Sequence, residues 1–288
     1  MLAAPTIGRI LGQRRSNMPK HHLAIGLALL AGCTHGGATI THISGIAPLS
    51  GDVVAAVDTR QFETGSFLAD DGVVIPYRLL RPAQLRAGER YPLVIQLHGS
   101  GGIGTDNSSQ LDRLARSWAM PQIRQQYPAY VLVPQFPIRS ANYGPATPDQ
   151  SAQASPVLAA ALKLARSIAA DNPVDHRRIY ALGFSMGGSA TWLAPTLQPE
   201  LLAAIVPISG IAPANTQADA FRNLPVLAIH GSADEENPIT SDRRFVAAVH
   251  AAGGRQIQLR EYAGLAHSPP ADIYPGNEWR DWLFQQHR

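Results

Sequence analysis

The sequence predicts an α/β fold: a mostly parallel sheet with helices on both faces and antiparallel strands at its N-terminal side. From about residue 92 onward, short apolar runs of strand length alternate with longer segments of helical periodicity, as in parallel strands joined by helices. Before that point, two β-rich runs at residues 62–68 and 73–80 flank Asp70-Asp71-Gly72, a hairpin turn signal. Residues 61–288 are therefore predicted to form a single domain.

The predicted strands are runs of mainly Val, Ile, Leu and Ala, as expected of strands that are buried on both faces. They span residues 92–97, 130–133, 179–182, 203–208, 226–229 and 256–262. The predicted helices have apolar residues three and four positions apart, and some end at helix-breaking pairs such as Asn172-Pro173 and Gly253-Gly254. They cover residues 108–118, 152–170, 186–193, 241–252 and 279–286.

The charge distribution argues against nucleic acid as a partner. The 288 residues carry a formal charge of +3, and the pI is near 9.2. Residues 1–32 hold four basic side chains and no acidic one, which leaves 20 basic against 21 acidic residues in the remainder. The folded part therefore has no basic surplus for a phosphate backbone. No metal or organic cofactor is predicted, because the histidines are scattered without ligand spacing.

The N-terminal segment is predicted to direct export. Basic residues precede the apolar run Leu23–Leu30, which is too short to span a bilayer but fits a signal peptide over residues 1–32. Leu30-Ala-Gly-Cys33 resembles the lipobox of bacterial lipoproteins, whose cysteine is lipidated. A membrane-anchored protein facing the periplasm or the cell exterior is expected. The alternatives are an ordinary leader with a chance cysteine, and a true start at Met18.

Residues 33–60 are rich in Gly, Thr, Ser and Ala and are predicted to form a flexible tether. Within this segment, residues 53–57 could instead pair as an edge strand. Cys33 is the only cysteine of the chain, so no disulfide can form within it.

The pentapeptide Gly183-Phe-Ser185-Met-Gly187 is the strongest functional signal. It follows a predicted strand and precedes a predicted helix, and in that context Gly-x-Ser-x-Gly indicates a nucleophile elbow. Such a turn lifts the serine hydroxyl out of the sheet and directs free helix N–H groups at a developing oxyanion. Ser185 is therefore the predicted nucleophile. The alternative is a glycine-rich turn with an incidental serine.

A serine nucleophile needs a base, and the base needs an acid that orients it. In the α/β-hydrolase order the acid comes next along the chain and the histidine last, each just past a strand end. Asp234 is the preferred acid, with Glu235 as the fallback and Glu236 as a third carboxylate in the same loop. His267, which follows the last predicted strand, is the predicted base. A solvated acidic turn and a structural histidine are the alternative interpretations.

The oxyanion hole requires two convergent backbone donors. One is expected from the residue after the nucleophile, Met186. The other is expected from the glycine-rich loop after strand 92–97, where the Ser100 N–H is favoured and Gly99 or Gly101 is the alternative. His98 is predicted to brace this loop through its ring nitrogens. No Gly-Lys-Ser/Thr follows, which argues against a phosphate-binding loop.

Taken together, these motifs resemble secreted bacterial α/β-hydrolases of the phospholipase/carboxylesterase and predicted-peptidase group, related to feruloyl esterases, acetylxylan esterases and polyhydroxybutyrate depolymerases. The resembling segments are Ile75–Pro82, Leu97–Gly101, Gly104–Asn107, Val133–Gln135, Gly183–Gly188, Thr191-Trp192, His230-Gly231, Asp234 and His267. The resemblance implies the α/β-hydrolase fold and the roles of nucleophile, acid and base for Ser185, Asp234 and His267. Ala266 and Pro269-Pro270 depart from the family pattern around the histidine, so no relative's substrate can be transferred.

The expected reaction is hydrolysis of carboxylic esters through an acyl-enzyme. Small aryl esters or acyl groups on extracellular carbohydrate are the expected substrates, and the lipid anchor is the only expected membrane contact. The loop at residues 137–155, with Arg139, Asn142 and Tyr143, is the predicted substrate wall. Two rival functions are a serine peptidase of the same fold and a non-catalytic binding lipoprotein.

Overall fold

The computed structural model describes residues 39–44 and 52–288. The predicted signal peptide at residues 1–32 and the predicted lipidation site Cys33 lie outside these residues, as does part of the predicted tether. In the described part of the chain, no helix is both long and apolar enough to cross a bilayer.

The described residues contain eleven strands, nine of them in one sheet. The strands are β1 (Thr39–Ile43), β2 (Glu63–Leu68), β3 (Val74–Leu80), β4 (Tyr91–Leu97), β5 (Tyr130–Pro134), β6 (Ala141–Tyr143), β7 (Ala152–Ala154), β8 (Val174–Phe184), β9 (Ala204–Ile208), β10 (Val226–Gly231) and β11 (Ile257–Tyr262). The sheet order is β1-β11-β10-β9-β8-β4-β5-β3-β2, and β6 and β7 form a separate two-stranded ribbon.

The direction of the strands confirms the predicted architecture. From β1 across to β5, every neighbouring pair in the sheet is parallel. β3 joins β5 antiparallel, and β2 joins β3 antiparallel through the predicted turn, where Gly72 has a positive φ of 81°. The seven parallel strands therefore end at one common rim, and the loops that follow them meet there.

Helices cover both faces of the sheet, as the sequence predicts. They are α1 (Asp52–Ala55), α2 (Arg113–Ser117), α3 (Pro121–Gln126), α4 (Pro156–Asp171), α5 (Met186–Leu197), α6 (Thr240–Ala251) and α7 (Glu278–Gln285). Because successive side chains on a strand point to opposite faces, Leu93 and Ile95 join the core cluster of α4, α5 and α6, whereas Val94 joins that of α2, α3 and α7.

The prediction of a flexible tether over residues 33–60 is wrong for residues 39–43. These residues form β1, which pairs in parallel with β11 from Thr39↔Gln258 to Ile43↔Tyr262. The segment Thr-Ile-Thr-His-Ile is rich in β-branched residues and satisfies backbone groups that an uncovered β11 would expose. The suggested strand at residues 53–57 is also wrong, since α1 occupies most of it.

Two predicted helices begin later than expected. Helix 108–118 is reduced to α2, because Asp112 caps it by accepting from the Ala115 N–H at 2.9 Å, while residues 104–110 form a loop. Helix 152–170 begins only at Pro156, a residue well suited to the first helical position. Its predicted first residues instead form β7.

Candidate active site

Ser185 lies on a sharp turn between the end of β8 and the start of α5. Its backbone has φ 58° and ψ −121°, a strained conformation for a residue other than glycine. The turn fits only because its neighbours lack side chains: a Cβ on Gly183 would stand 2.5 Å from the Leu97 carbonyl oxygen, and one on Gly187 would overlap that same oxygen. The predicted elbow is therefore present.

A continuous hydrogen-bonded chain links Ser185, His267 and Asp234. His267 Nε2 is 2.8 Å from Ser185 Oγ, and His267 Nδ1 is 2.7 Å from Asp234 Oδ2. These residues are separated by 33 to 82 positions and come from the loops after β8, β10 and β11. The parallel strand order brings together all three side chains that the sequence singled out.

Asp234 is distinguished from the neighbouring carboxylates by burial and by its donors. It is 6% exposed, and its Oδ1 accepts the backbone N–H groups of Glu236 and Asn237 at 3.0 and 2.9 Å. Burial disfavours the charged carboxylate, but hydrogen bonds from His230 and His267 outweigh it and hold the pKa of Asp234 well below its usual range. Glu235 is exposed. Glu236 is also exposed, and its carboxylate lies 3.8 Å from His267 Nε2, beyond hydrogen-bond distance.

The loop after β4 lies directly beside the elbow. Ser100–Gly102 form one 3-10 turn, and a Cβ on Gly99 would touch the Ser185 Cβ at 3.7 Å. The Met186 N–H opens α5 and has no acceptor within its own helix. The loop after β4 and the Met186 N–H therefore both lie beside Ser185. The Ser100 N–H as the second donor, with Gly99 or Gly101 as the alternative, stays a prediction.

His98 braces this loop as predicted. It is fully buried, its Nδ1 is 2.7 Å from the Gly99 carbonyl oxygen, and its Nε2 accepts the Phe136 N–H at 3.0 Å. Those two partners require a neutral ring with the proton on Nδ1. Burial accordingly lowers the pKa of His98 to about 4, although the bond to the Gly99 carbonyl opposes the shift.

The neutral His98 is expected to make the fold sensitive to acid. The unfolded chain takes up a proton near pH 6.5, whereas the folded ring resists protonation until about pH 4. The neutral His98 ring therefore contributes fully to the free energy of unfolding above pH 6.5. This contribution declines by up to about 3 kcal/mol as the pH falls toward 4. Urea unfolding at pH 7 and pH 4.5 should show a smaller loss of stability for His98→Gln than for the wild type. Equal losses would contradict this assignment.

Comparison with known proteins identifies the family. The phospholipase/carboxylesterase family matches residues 86–273, a span that includes Ser185, Asp234 and His267. This chain belongs to the phospholipase/carboxylesterase family. Its fold is the α/β-hydrolase fold, and the chain is a member of a hydrolase family that includes esterases.

Several solved structures are similar to this chain. A thermostable esterase is 32% identical with a TM-score of 0.72, over 80% of this chain and 64% of that protein, so this chain spans less than two thirds of its length. A feruloyl esterase module from Clostridium thermocellum complexed with sinapinate is 14% identical with a TM-score of 0.57, over 84% of this chain and 96% of that one. A putative dienelactone hydrolase from Klebsiella pneumoniae is 22% identical with a TM-score of 0.56, over 77% of this chain and 97% of that one. The latter two show the fold alone. No curated protein matches significantly.

The predicted substrate wall forms an ordered structure against α5. In this family member, residues 141–154 form the β6–β7 ribbon, and Tyr143 Oη accepts a hydrogen bond from Ser189 Oγ at 3.2 Å. Ser189 lies one helical turn after Ser185, so Tyr143 stands close to the elbow. The Arg139 guanidinium lies 4.9 Å from the centre of the Tyr143 ring. A cationic and aromatic surface thus borders the site.

Sequence reasoning missed a second histidine behind the acid. His230 is the last but one residue of β10 and is fully buried between Asp234 and Asp242. Its position near a strand end, directly before Gly231, was a sequence signal that could have indicated a functional residue. Asp242 belongs to α6, and nothing in the sequence placed it next to His230. Within residues 39–44 and 52–288, no group of three or more His, Cys, Asp or Glu side chains is arranged to hold a metal ion.

Proposed function

We propose that this protein is a serine carboxylesterase that cleaves carboxylic esters through an acyl-enzyme on Ser185. The observation that carries the proposal is the unbroken chain from Ser185 Oγ through His267 to the buried Asp234, with bonds of 2.8 and 2.7 Å. A hydroxyl becomes nucleophilic when a base accepts its proton, and the geometry here meets that requirement.

The reaction follows from the roles of these atoms. Asp234 accepts the Nδ1–H of His267, which leaves Nε2 unprotonated and facing Ser185 Oγ. Ser185 attacks the ester carbonyl carbon as its proton passes to His267 Nε2. The N–H groups of Met186 and of Ser100 stabilise the oxyanion. The tetrahedral intermediate then collapses, and His267 protonates the departing alcohol. Water, activated by the same imidazole, releases the acid and restores Ser185.

The proposed substrates are small aryl esters or acyl groups on extracellular carbohydrate. Only residues 209–225 connect β9 to β10, and they contain one short 3-10 helix, Asn215–Phe221, rather than a lid domain. An open site accommodates an acyl group on a larger molecule. The Arg139 and Tyr143 surface suits an aromatic or polar acyl part. Hydrolysis of aryl esters without hydrolysis of aminoacyl amides separates this proposal from a peptidase.

The decisive experiment is labelling with a fluorophosphonate probe, which reacts with an activated serine. Wild-type protein should be labelled, Ser185→Ala should not, and His267→Ala, which keeps the serine but loses the base, should be labelled far more slowly. A folded wild type that resists labelling would refute the esterase proposal and favour a non-catalytic binding protein.

We also propose that the enzyme is exported and lipid-anchored at Cys33. The order of a basic region, an apolar run and Leu30-Ala-Gly-Cys33 supports this localisation. Cells grown with a clickable palmitate analogue should incorporate it into the wild type, and Cys33→Ala should abolish the incorporation and leave the protein in the soluble fraction. Unchanged incorporation in the variant would exclude Cys33 as the anchor.

A further inference from the structure

His230 is a fully buried histidine that contacts the same carboxylate oxygen as His267. Its Nε2 lies 2.7 Å from the Asn237 carbonyl oxygen and 3.3 Å from Asp234 Oδ2. Its Nδ1 lies 2.9 Å from Asp242 Oδ2. Asp234 Oδ2 is therefore shared by two imidazole rings, one facing Ser185 and one facing the protein interior.

The partners of His230 define its protonation state. A carbonyl oxygen can only accept, so Nε2 carries a proton. Nδ1 faces the Asp242 carboxylate, whose other oxygen accepts the indole N–H of Trp192 at 2.9 Å. Burial opposes the charge on His230, but Asp242 and Asp234 outweigh it and raise the pKa of His230 to about 10. Burial also raises the pKa of Asp242, and the facing His230 cation counters that rise. The hydrogen bonds of His230 and the raised pKa of its ring favour an imidazolium that faces a carboxylate.

This pair connects the acid to the helix that begins directly after the nucleophile. Trp192 lies on α5, which starts at Met186, and Asp242 lies in the first turn of α6. The hydrogen bonds run from Trp192 to Asp242, to His230, to the loop of Asp234 and through His267 to Ser185. Because Ser185 immediately precedes α5, these bonds and the helix close a ring.

We propose that His230 is a positioning residue. It is a buried cation that shares the Asp234 carboxylate with His267 and holds that carboxylate in a fixed position relative to α5. Its positive charge also weakens the attraction between the Asp234 carboxylate and the proton on His267. The inference rests on the proposed esterase function. Without the hydrogen bond from His230 Nε2, the loop from Asp234 to Asn237 loses its tie to α6. Without the positive charge, Asp234 attracts a proton onto His267 more strongly.

Other charged groups surround this network and stay constant in the test. Glu261 lies opposite His230 in the ladder between β10 and β11 and is held by Arg243 at 2.6 Å. His42 approaches Glu261 at 3.4 Å, and the exposed Glu236 approaches His267 Nε2 at 3.8 Å. None of these groups is altered in the variants below, so a shift between variants reports on His230 and Asp242.

Three variants separate the hydrogen bond from the charge. In His230→Gln, the amide nitrogen reaches the Nε2 position and keeps a neutral donor to the Asn237 carbonyl. In Asp242→Asn, the amide donates to Nδ1 and leaves a neutral His230 that retains its Nε2–H. In His230→Asn, the shorter amide still faces Asp242 but does not reach the Asp234 loop. The readouts are kcat and KM for a small aryl ester, the pH profile of kcat/KM, and Tm.

His230→Gln and Asp242→Asn should keep kcat within about tenfold and move the acidic limb of kcat/KM to higher pH by roughly half a unit to one unit. His230→Asn should lose about 10- to 100-fold in kcat with KM nearly unchanged. Ser241→Ala removes a neighbouring buried hydroxyl, which accepts the Ala212 N–H, and is the matched control. It should lower Tm without moving the acidic limb.

The outcomes distinguish this inference from the proposed function. The acidic limb of kcat/KM could lie at the wild-type pH in both His230→Gln and Asp242→Asn, while both proteins still react with the fluorophosphonate at Ser185. That result would overturn the role of His230 and leave the esterase function standing. Equal kcat in His230→Asn and His230→Gln would overturn the positioning role. If His230→Asn does not fold, the pH profiles of the other two variants still decide the question. A wild type that is not labelled refutes the esterase function itself.

Discussion

Ser185→Ala is expected to lower kcat for an aryl ester by about five to six orders of magnitude, the largest effect of any single substitution in this chain. The hydroxyl is the only group in the proposed chain that bonds covalently to the acyl carbon, so no acyl-enzyme can form without it. KM should change little, because the Gly99–Gly101 loop and the Tyr143 surface remain. Steady-state kinetics and the amplitude of the acylation burst measure both quantities.

Two further variants test this prediction. Ser185→Ala combined with His267→Ala should be hardly worse than Ser185→Ala, since the residues act as a unit. Ser185→Gly should be equally inactive but more stable than Ser185→Ala by about 1 kcal/mol, because glycine tolerates a φ of 58° without steric cost. Residual turnover above one hundredth of the wild type in purified Ser185→Ala would place the nucleophile elsewhere.

Asp234→Asn is expected to lower kcat by about four orders of magnitude. Asp234 Oδ1 accepts two backbone N–H groups, so the oxygen of an asparagine would occupy that position and its amide nitrogen would face the two histidines. His267 Nδ1 would then have to accept a hydrogen bond. The ring proton would move to Nε2, where it faces Ser185 and blocks the base. Stability should also fall, because the His230 cation would meet a donor at the position of Asp234 Oδ2.

The neighbouring carboxylates provide matched controls for Asp234→Asn. Glu235→Gln and Glu236→Gln remove the same charge from the same loop, but both side chains are exposed. Each should retain kcat within about threefold. A loss in Glu235→Gln equal to that in Asp234→Asn would assign the acid to Glu235, the fallback that the sequence left open. Kinetics at one pH on the plateau suffice for the comparison.

Local sequence signals predicted the parallel core and the elbow because both depend on neighbouring residues. Apolar runs such as Pro92–Leu97 are shielded from water only when they lie between other strands and are covered by helices. Gly183 and Gly187 are required by a turn that lies within five residues of chain. The weaker predictions concerned segments whose conformation depends on distant partners. Residues 39–43 lie within a segment that has the composition of a tether as a whole, but they pair with β11, more than two hundred positions away.

The linear chain was enough to name Ser185, Asp234 and His267 and to rank Asp234 above its neighbours, because strand ends in parallel sheets share one rim and motif order is itself a constraint. Folding added what no local pattern encodes. It buried one of three adjacent acids and left two in water, and it set Trp192, Asp242 and His230 behind the chosen one. Desolvation and contact between remote segments are properties of three-dimensional packing, so the charge state and connectivity of this buried network emerge only in the folded molecule.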